Sequence, residues 1–185
     1  MRRLEEIARA LADAALDGWL FYDFRHSDPL AYRILGVNSE GITTRRWFCY
    51  VPAHGAARAL VSAVEAERLA ELGIETVVYR SADGMLAALG EFLAGARRIA
   101  MNYSPRCAIP YVARVDAGTV EIVRSLGVEV VSAADLIQRF EARLEPAQLD
   151  SHRRAAAIAR SVVNETFAEI PRAVASGAPV SEYSA

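Results

Sequence analysis

The sequence predicts an α/β fold: a three-layer domain with a mixed, mostly parallel sheet flanked by helices, followed by one long C-terminal helix. Three observations carry that expectation. Apolar runs of about four residues alternate with helical patterns of about ten from residue 76 onward, the signature of β-α repetition. A hairpin pattern near residues 46–61 adds antiparallel pairing, so the sheet is not purely parallel. At Glu145-Pro146 the rhythm gives way to a single long amphipathic pattern.

In chain order, Leu4 to Leu16 carries Leu4, Ile7, Ala8, Leu11, Ala12 and Ala15 at helical spacing, and Asp17-Gly18 is expected to stop that helix. Trp19 to Tyr22 is a short, wholly apolar strand of the buried kind. The loop Asp23 to Pro29 follows, with Asp28 placed to cap a helix from Pro29 to about Leu35 that Gly36 ends. Arg46 to Val51 and Arg58 to Val61 flank the turn Pro52-Ala53-His54-Gly55 and form the hairpin. Ser62 and Glu65 have capping-box spacing, which predicts a helix to about Leu72. Then come a strand (Thr76–Tyr79), a helix (Met85–Leu93), a strand (Arg98–Met101) and an irregular stretch from Asn102 to Tyr111. A helix opened by Asp116 or Thr119, a strand (Val128–Val131) and a helix (Leu136–Leu144) complete the domain. The boundaries fall at 1–144 for this domain and 145–185 for the rest. In the latter, Ile158, Ala159, Val162, Val163, Phe167 and Ile170 make one apolar stripe, and Pro171 is expected to kink or end the helix.

Composition removes whole classes of function. Hydrophobic residues make up 53% of the 185 and charged residues 24%, enough apolar material for a core and too much for wholesale disorder. The net charge of −2 favours neither nucleic acid nor an anionic membrane as a partner. All 21 basic residues are Arg. Arginine stays protonated, so a phosphate-loop lysine, a pyridoxal-phosphate lysine and a Ser-Lys dyad are all excluded. Composition bias is the plainer origin of this, and the exclusion holds either way. Cys49 and Cys107 form no CxxC pair and read as reduced thiols. Met1-Arg2-Arg3 is followed by Glu5-Glu6 and not by an apolar segment, so no signal peptide is read there. No apolar run approaches the ~18 residues of a membrane span. The protein is expected to be soluble and cytoplasmic.

The search for chemistry finds no catalytic set. His26, His54 and His152 lie far apart, without metal-ligand spacing. No GxSxG elbow and no GxGxxG phosphate loop occur. Cys107 in Ser104-Pro105-Arg106-Cys107 reads better as a packed thiol than as a nucleophile. Two segments stay of interest. Arg25-His26-Ser27-Asp28 follows the first buried strand, where α/β proteins place ligand contacts; helix capping by Asp28, with His26 exposed, is the alternative. Arg45-Arg46-Trp47 puts an aromatic after two cations at a strand start; packing with a stacked guanidinium is its alternative.

The order of these motifs resembles the creatinase/prolidase-type N-terminal domain of the pita-bread metallopeptidases, the family of Xaa-Pro aminopeptidases and Xaa-Pro dipeptidases. Leu16-Asp17-Gly18-Trp19-Leu20 is similar to the family's approach to its first strand. Arg25 to Asp28 and Tyr32 to Gly36 resemble its "R-x-N/S-D…Y-L-T-G" segment, with Arg33-Ile34 departing from the usual Leu-Thr. Trp47 to Leu60 with Glu65 resembles its "strand, P-x-x-G, strand, E" hairpin. Ser151 to Ala156, with Gly177 to Glu182, resembles the first helix of the catalytic pita-bread domain and its continuation. The resemblance covers essentially the whole chain.

The resemblance implies a parent exopeptidase that cleaves short proline-containing peptides with two divalent ions (Mn, Co or Zn), held by carboxylates and a histidine downstream of Glu182. This chain is then expected to hold no cofactor, to have no catalytic residue and to be inactive alone. It implies a homodimer assembled through the N-terminal domain, which also gates a neighbouring active site. Asp28 is the first candidate for a gating contact, with Arg25, His26, Arg46 and Trp47 beside it. A free-standing scaffold domain, or the N-terminal half of a creatinase-type amidinohydrolase, is the alternative. The chain is expected to stop about one helix into the catalytic domain, leaving the stripe from Ile158 to Ile170 without its cover.

Overall fold

The structure, a computed structural model, describes residues 2–177, 179, 181 and 182. The chain divides into two compact units, Met1–Ala142 and Arg143–Ala185.

The first unit is built on a six-stranded sheet in the order β4-β3-β2-β1-β5-β6. Its strands are β1 (Gly18–Asp23), β2 (Trp47–Pro52), β3 (Arg58–Ser62), β4 (Glu75–Tyr79), β5 (Arg98–Met101) and β6 (Glu129–Ser132). Only β2 runs against its neighbours: β1–β2 and β2–β3 are antiparallel, while β1–β5, β3–β4 and β5–β6 are parallel. The predicted mixed sheet is therefore present, with the hairpin supplying the reversal. Alternation within β1 sorts its side chains by face. Trp19 and Phe21 join the core formed with α1 (Arg2–Asp13), α2 (Pro29–Leu35) and α5 (Ala134–Glu141). Leu20 and Tyr22 join the core formed with α3 (Ala82–Phe92) and α4 (Ala117–Ser125). All six residues of β1 are buried, as a strand covered on both faces should be.

That layering has a consequence for the site. After β1 the chain passes to α2 on one face; after the adjacent parallel β5 it passes to α4 on the other. The gap between the carboxyl ends of β1 and β5 is therefore the topological switch point of the sheet, where open α/β folds form their crevice.

Several boundaries differ from the sequence reading, each for a physical reason. Helix α1 ends at Asp13, before Asp17-Gly18, because Ala15 adopts a left-handed φ of 53° and the Leu16 N–H turns back to the Leu11 carbonyl. Gly18 instead opens β1, and the Tyr50 ring fills the space its side chain would need. The helix expected over 62–72 is two single 3-10 turns, Ala63–Glu65 and Ala70–Leu72. Ser62 does cap, accepting from the Val64 N–H, but the Glu65 carboxylate is engaged elsewhere, with Thr44 and Arg45.

The second unit is dominated by α6 (Pro146–Ser176), which continues through Pro171 without ending. Pro171 has no N–H to donate to the carbonyl of Phe167, so the helix runs on with that one hydrogen bond missing. Ile158, Val162, Val163, Phe167 and Val174 are all more than half exposed. Of the predicted continuation, Ala178 and Val180 lie outside the described residues. Among the described residues, no helix is long and apolar enough to cross a membrane.

Candidate functional site

The β1–α2 loop, the start of β2 and the segment after β5 come together at the carboxyl end of β1. Asp23 closes β1 and is fully buried. Its Oδ1 accepts from the Asp28 N–H at 2.9 Å and from the Ser27 hydroxyl at 3.4 Å; its Oδ2 accepts from the His26 N–H at 3.1 Å and the Tyr32 hydroxyl at 2.7 Å. These bonds hold a strained loop. Arg25 and His26 are consecutive non-glycine residues at φ 57° and 58°, conformations that persist only where the surroundings impose them. Arg25 and His26 are thereby presented outward, both exposed, with the His26 Nε2 within 3.0 Å of the Gly41 carbonyl.

Asp28 is buried too, and both its oxygens are occupied. Oδ1 accepts from the N–H groups of Leu30 and Ala31 and so caps α2. Oδ2 accepts from Asn102 Nδ2 at 2.6 Å, while Asn102 Oδ1 takes the Trp19 indole N–H at 3.0 Å. The switch-point crevice is thus filled from within by Asn102, which ties β1, β5 and α2 together. Burial pushes the Asp28 carboxyl up to about 6, helped by the neighbouring charge of Asp23 and opposed by the hydrogen bonds from Ala31, Asn102 and Leu30. The capping alternative, with His26 exposed, describes these residues as the structure places them.

Trp47 lies opposite Asp23 in the β1–β2 ladder and is wholly buried. Its indole N–H donates to the Tyr32 hydroxyl at 3.2 Å and its ring meets Tyr32 edge-on. The guanidinium that stacks here is Arg68, over Tyr32 and 5.0 Å from its centroid. Arg46 is half-buried, and its carbonyl accepts from the Tyr79 hydroxyl at 2.7 Å. Glu65 sets the approach to this strand: its carboxylate takes the Thr44 N–H and hydroxyl, each at 2.7 Å, and the Arg45 N–H at 3.3 Å. These donated bonds outweigh burial and hold Glu65 below its ordinary range.

Arg25, His26 and Arg46 therefore lie on one rim, the first two exposed and Arg46 half-buried, while Asp28 and Trp47 are buried beneath it. Sequence reasoning missed Asp23, Asn102 and the Glu65 tie. The signal for Asn102 was available: a polar residue immediately after a buried parallel strand, at the end of the sheet where crevices form. Beside this rim opens a cleft of about 690 Å³ that includes Tyr22, Phe24, Arg45, Arg46 and Asp116. Among the described residues, no group of three or more His, Cys, Asp or Glu could hold a metal ion. The two ions that the resemblance implies therefore find no fitting ligand set among them.

No family model and no curated protein matches the sequence. Solved structures do match by fold. The prolidase of Pyrococcus horikoshii matches over 91% of this chain and 43% of its own, at 16% identity and a TM-score of 0.56. The dipeptidase PepE of Mycobacterium ulcerans matches over 80% and 38%, at 22% identity and a TM-score of 0.59. The creatinase/prolidase N-terminal domain of an Xaa-Pro dipeptidase from Streptococcus pyogenes matches over 74% of this chain and 97% of that one, at 14% identity and a TM-score of 0.54. The chain thus spans about two fifths of the length of the first two proteins and nearly all of the isolated domain. At such identities the likeness is one of fold: the fold of a creatinase/prolidase N-terminal domain.

Proposed function

We propose that this chain is the non-catalytic N-terminal part of a metal-dependent Xaa-Pro-type exopeptidase, serving subunit assembly and gating of an active site. The observation that carries this reading is the fold match, which exhausts a solved N-terminal domain and leaves more than half of a whole prolidase unmatched. Hydrolysis by two divalent ions needs carboxylates that bridge them, and the residues described here offer no such set. In this reading the Mn, Co or Zn ions, and the site for short proline-containing peptides, belong to the downstream domain. The parent is a cytoplasmic homodimer assembled through this domain.

The gate is the exposed pair Arg25 and His26, with Arg46 on the same rim. Asp23 and Asp28 fix the loop from below, so their part is to position and not to touch substrate. A rigid loop suits a size filter, because a loop that yields admits longer peptides at little cost.

The test uses the gene product with all sequence downstream of residue 185, loaded with Mn²⁺ or Co²⁺. The expected result is cleavage of an Xaa-Pro dipeptide and a change of about five- to tenfold, worth ~1–1.4 kcal/mol, in the dipeptide-to-tetrapeptide ratio of kcat/KM on Arg25→Ala/His26→Ala substitution. Absence of Xaa-Pro cleavage with either ion, alongside hydrolysis of a guanidino substrate, would transfer the reading to the creatinase type. An unchanged ratio would remove the gate.

A further inference from the structure

We infer that the cleft beside the rim binds a small zwitterion, a free α-amino acid with an apolar side chain, with the guanidinium of Arg46 on its carboxylate and the carboxylate of Asp116 on its ammonium. The cleft lies wholly within the first unit, is an open depression of about 690 Å³ and combines an apolar wall (Phe24, Tyr22, Ile122) with charges of opposite sign. That volume and that mixture suit a small-molecule site.

The two charges are not spent on each other. Among the described residues neither Arg46 nor Asp116 joins an ion pair. Both also act on the Tyr22 hydroxyl, whose proton burial holds on first: Asp116 adds to that hold and Arg46 opposes it. Each retains bonding capacity. Asp116 accepts the N–H and hydroxyl of Thr119, both at 2.8 Å, and the Tyr22 hydroxyl also bears on it, which still leaves room for a further donor on a carboxylate that offers about four lone pairs. No hydrogen bond engages the Arg46 guanidinium among the described residues, and its planar fork matches a carboxylate. Arg45 adds a second cation, its Nη1 resting on Thr44.

The sign of the charges selects the ligand. A plain anion would meet two arginines and be repelled by Asp116; a plain cation would meet the reverse. A molecule carrying both charges a few ångströms apart, with an apolar side chain for the Phe24 wall, satisfies all three features together. The inference stands apart from the gating proposal, because it concerns this chain alone.

The test is a titration of the 185-residue protein with L-leucine, N-acetyl-L-leucine and L-leucinamide, followed by backbone amide NMR shifts. The expected result is saturable shifts at Arg46, Gly118 and Thr119 with leucine, and binding at least about tenfold weaker for each blocked derivative, which lacks one charge-assisted bond. Asp116→Asn keeps the helix cap, since asparagine caps as well as aspartate, and should bring leucine and N-acetyl-leucine to equal affinity. Arg46→Gln should do the same for leucine and leucinamide. Equal binding of the three compounds by the wild-type protein, or no saturable shift with leucine, overturns the inference without recourse to either variant.

Discussion

Replacing Asp28 by asparagine should remove a contribution to stability that grows on mild acidification. The carboxyl is fully buried and its proton affinity is raised from an ordinary 3.8 to about 6, first by burial and then by Asp23, against the bonds donated by Ala31, Asn102 and Leu30. A carboxyl whose folded value lies above its unfolded value binds its proton more tightly when folded. Its contribution to stability is therefore fully present below 3.8 and is lost as pH rises through about 6. Taking those two values, linkage gives about 1.4 kcal/mol more stability at pH 5 than at pH 7.5. Asparagine caps α2 equally well, but its amide faces the Asn102 amide, donor against donor. That adds a penalty of ~1–3 kcal/mol that does not vary with pH. Urea unfolding at pH 5.0, 6.0 and 7.5 can be followed by fluorescence, because Trp19 and Trp47 are both wholly buried. Subtracting the variant from the wild type cancels the titrating groups that are not coupled to Asp28, which leaves Asp28 and its neighbour Asp23. A difference that is flat across this range, or that shrinks toward pH 5, refutes the assignment of a costly charge to Asp28.

Asn102→Leu should destabilise the protein by ~2–4 kcal/mol in urea unfolding, since it strands the Trp19 indole N–H and one Asp28 oxygen in the core; a loss under ~1 kcal/mol would show the crevice is not held by this link. Glu65→Ala removes the acceptor for the Thr44 and Arg45 N–H groups, so amide exchange at those two positions should quicken by about tenfold or more, while exchange in β1 stays as it was. Phe167→Ser should leave the stability of this chain within ~0.5 kcal/mol of wild type, because the ring is 71% exposed; Trp19→Ala, from the core, should cost ~3–5 kcal/mol.

What could be read from the sequence was what is local in it. Asp28, Pro29 and Gly36 carry the start and stop of α2 within nine residues, and the helix occupies Pro29–Leu35 as expected. The β2–β3 hairpin and the strand over Arg98–Met101 follow equally from short-range pattern. The failures lie where a side chain found a distant partner. Ser62 and Glu65 have the spacing of a capping box, but Glu65 binds Thr44, twenty-one residues earlier, and the helix dissolves into turns. Asn102 meets Asp28 across seventy-four residues and Trp19 across eighty-three, separations that no local pattern encodes. The rim residues could be named because they flank a buried strand; which of them touch solvent could not. Trp47 is a candidate in sequence because it follows two cations at a strand start, and Asp28 because it lies in the loop after a buried strand and matches the family's acid there; the fold uses both to fill its interior.

That burial changes what kind of surface the carboxyl end of the sheet offers. In an open α/β sheet the switch point is empty because the chain departs from it in opposite directions, and a ligand occupies the vacancy. Here the same departure occurs between β1 and β5, yet Asn102 bridges it and Asp28 and Asp23 line it, all three without solvent exposure. The crevice has become a clamp. Its three buried polar side chains fix the loop that carries Arg25 and His26, at the cost of two left-handed residues and a raised carboxyl. Polar surface available to a ligand is consequently displaced to the rim itself and to the cleft beside it, where Arg46 and Asp116 keep unspent hydrogen-bonding capacity. A fold that closes its own crevice in this way offers rigid edges for recognition, which is the kind of surface the proposed gating role calls for.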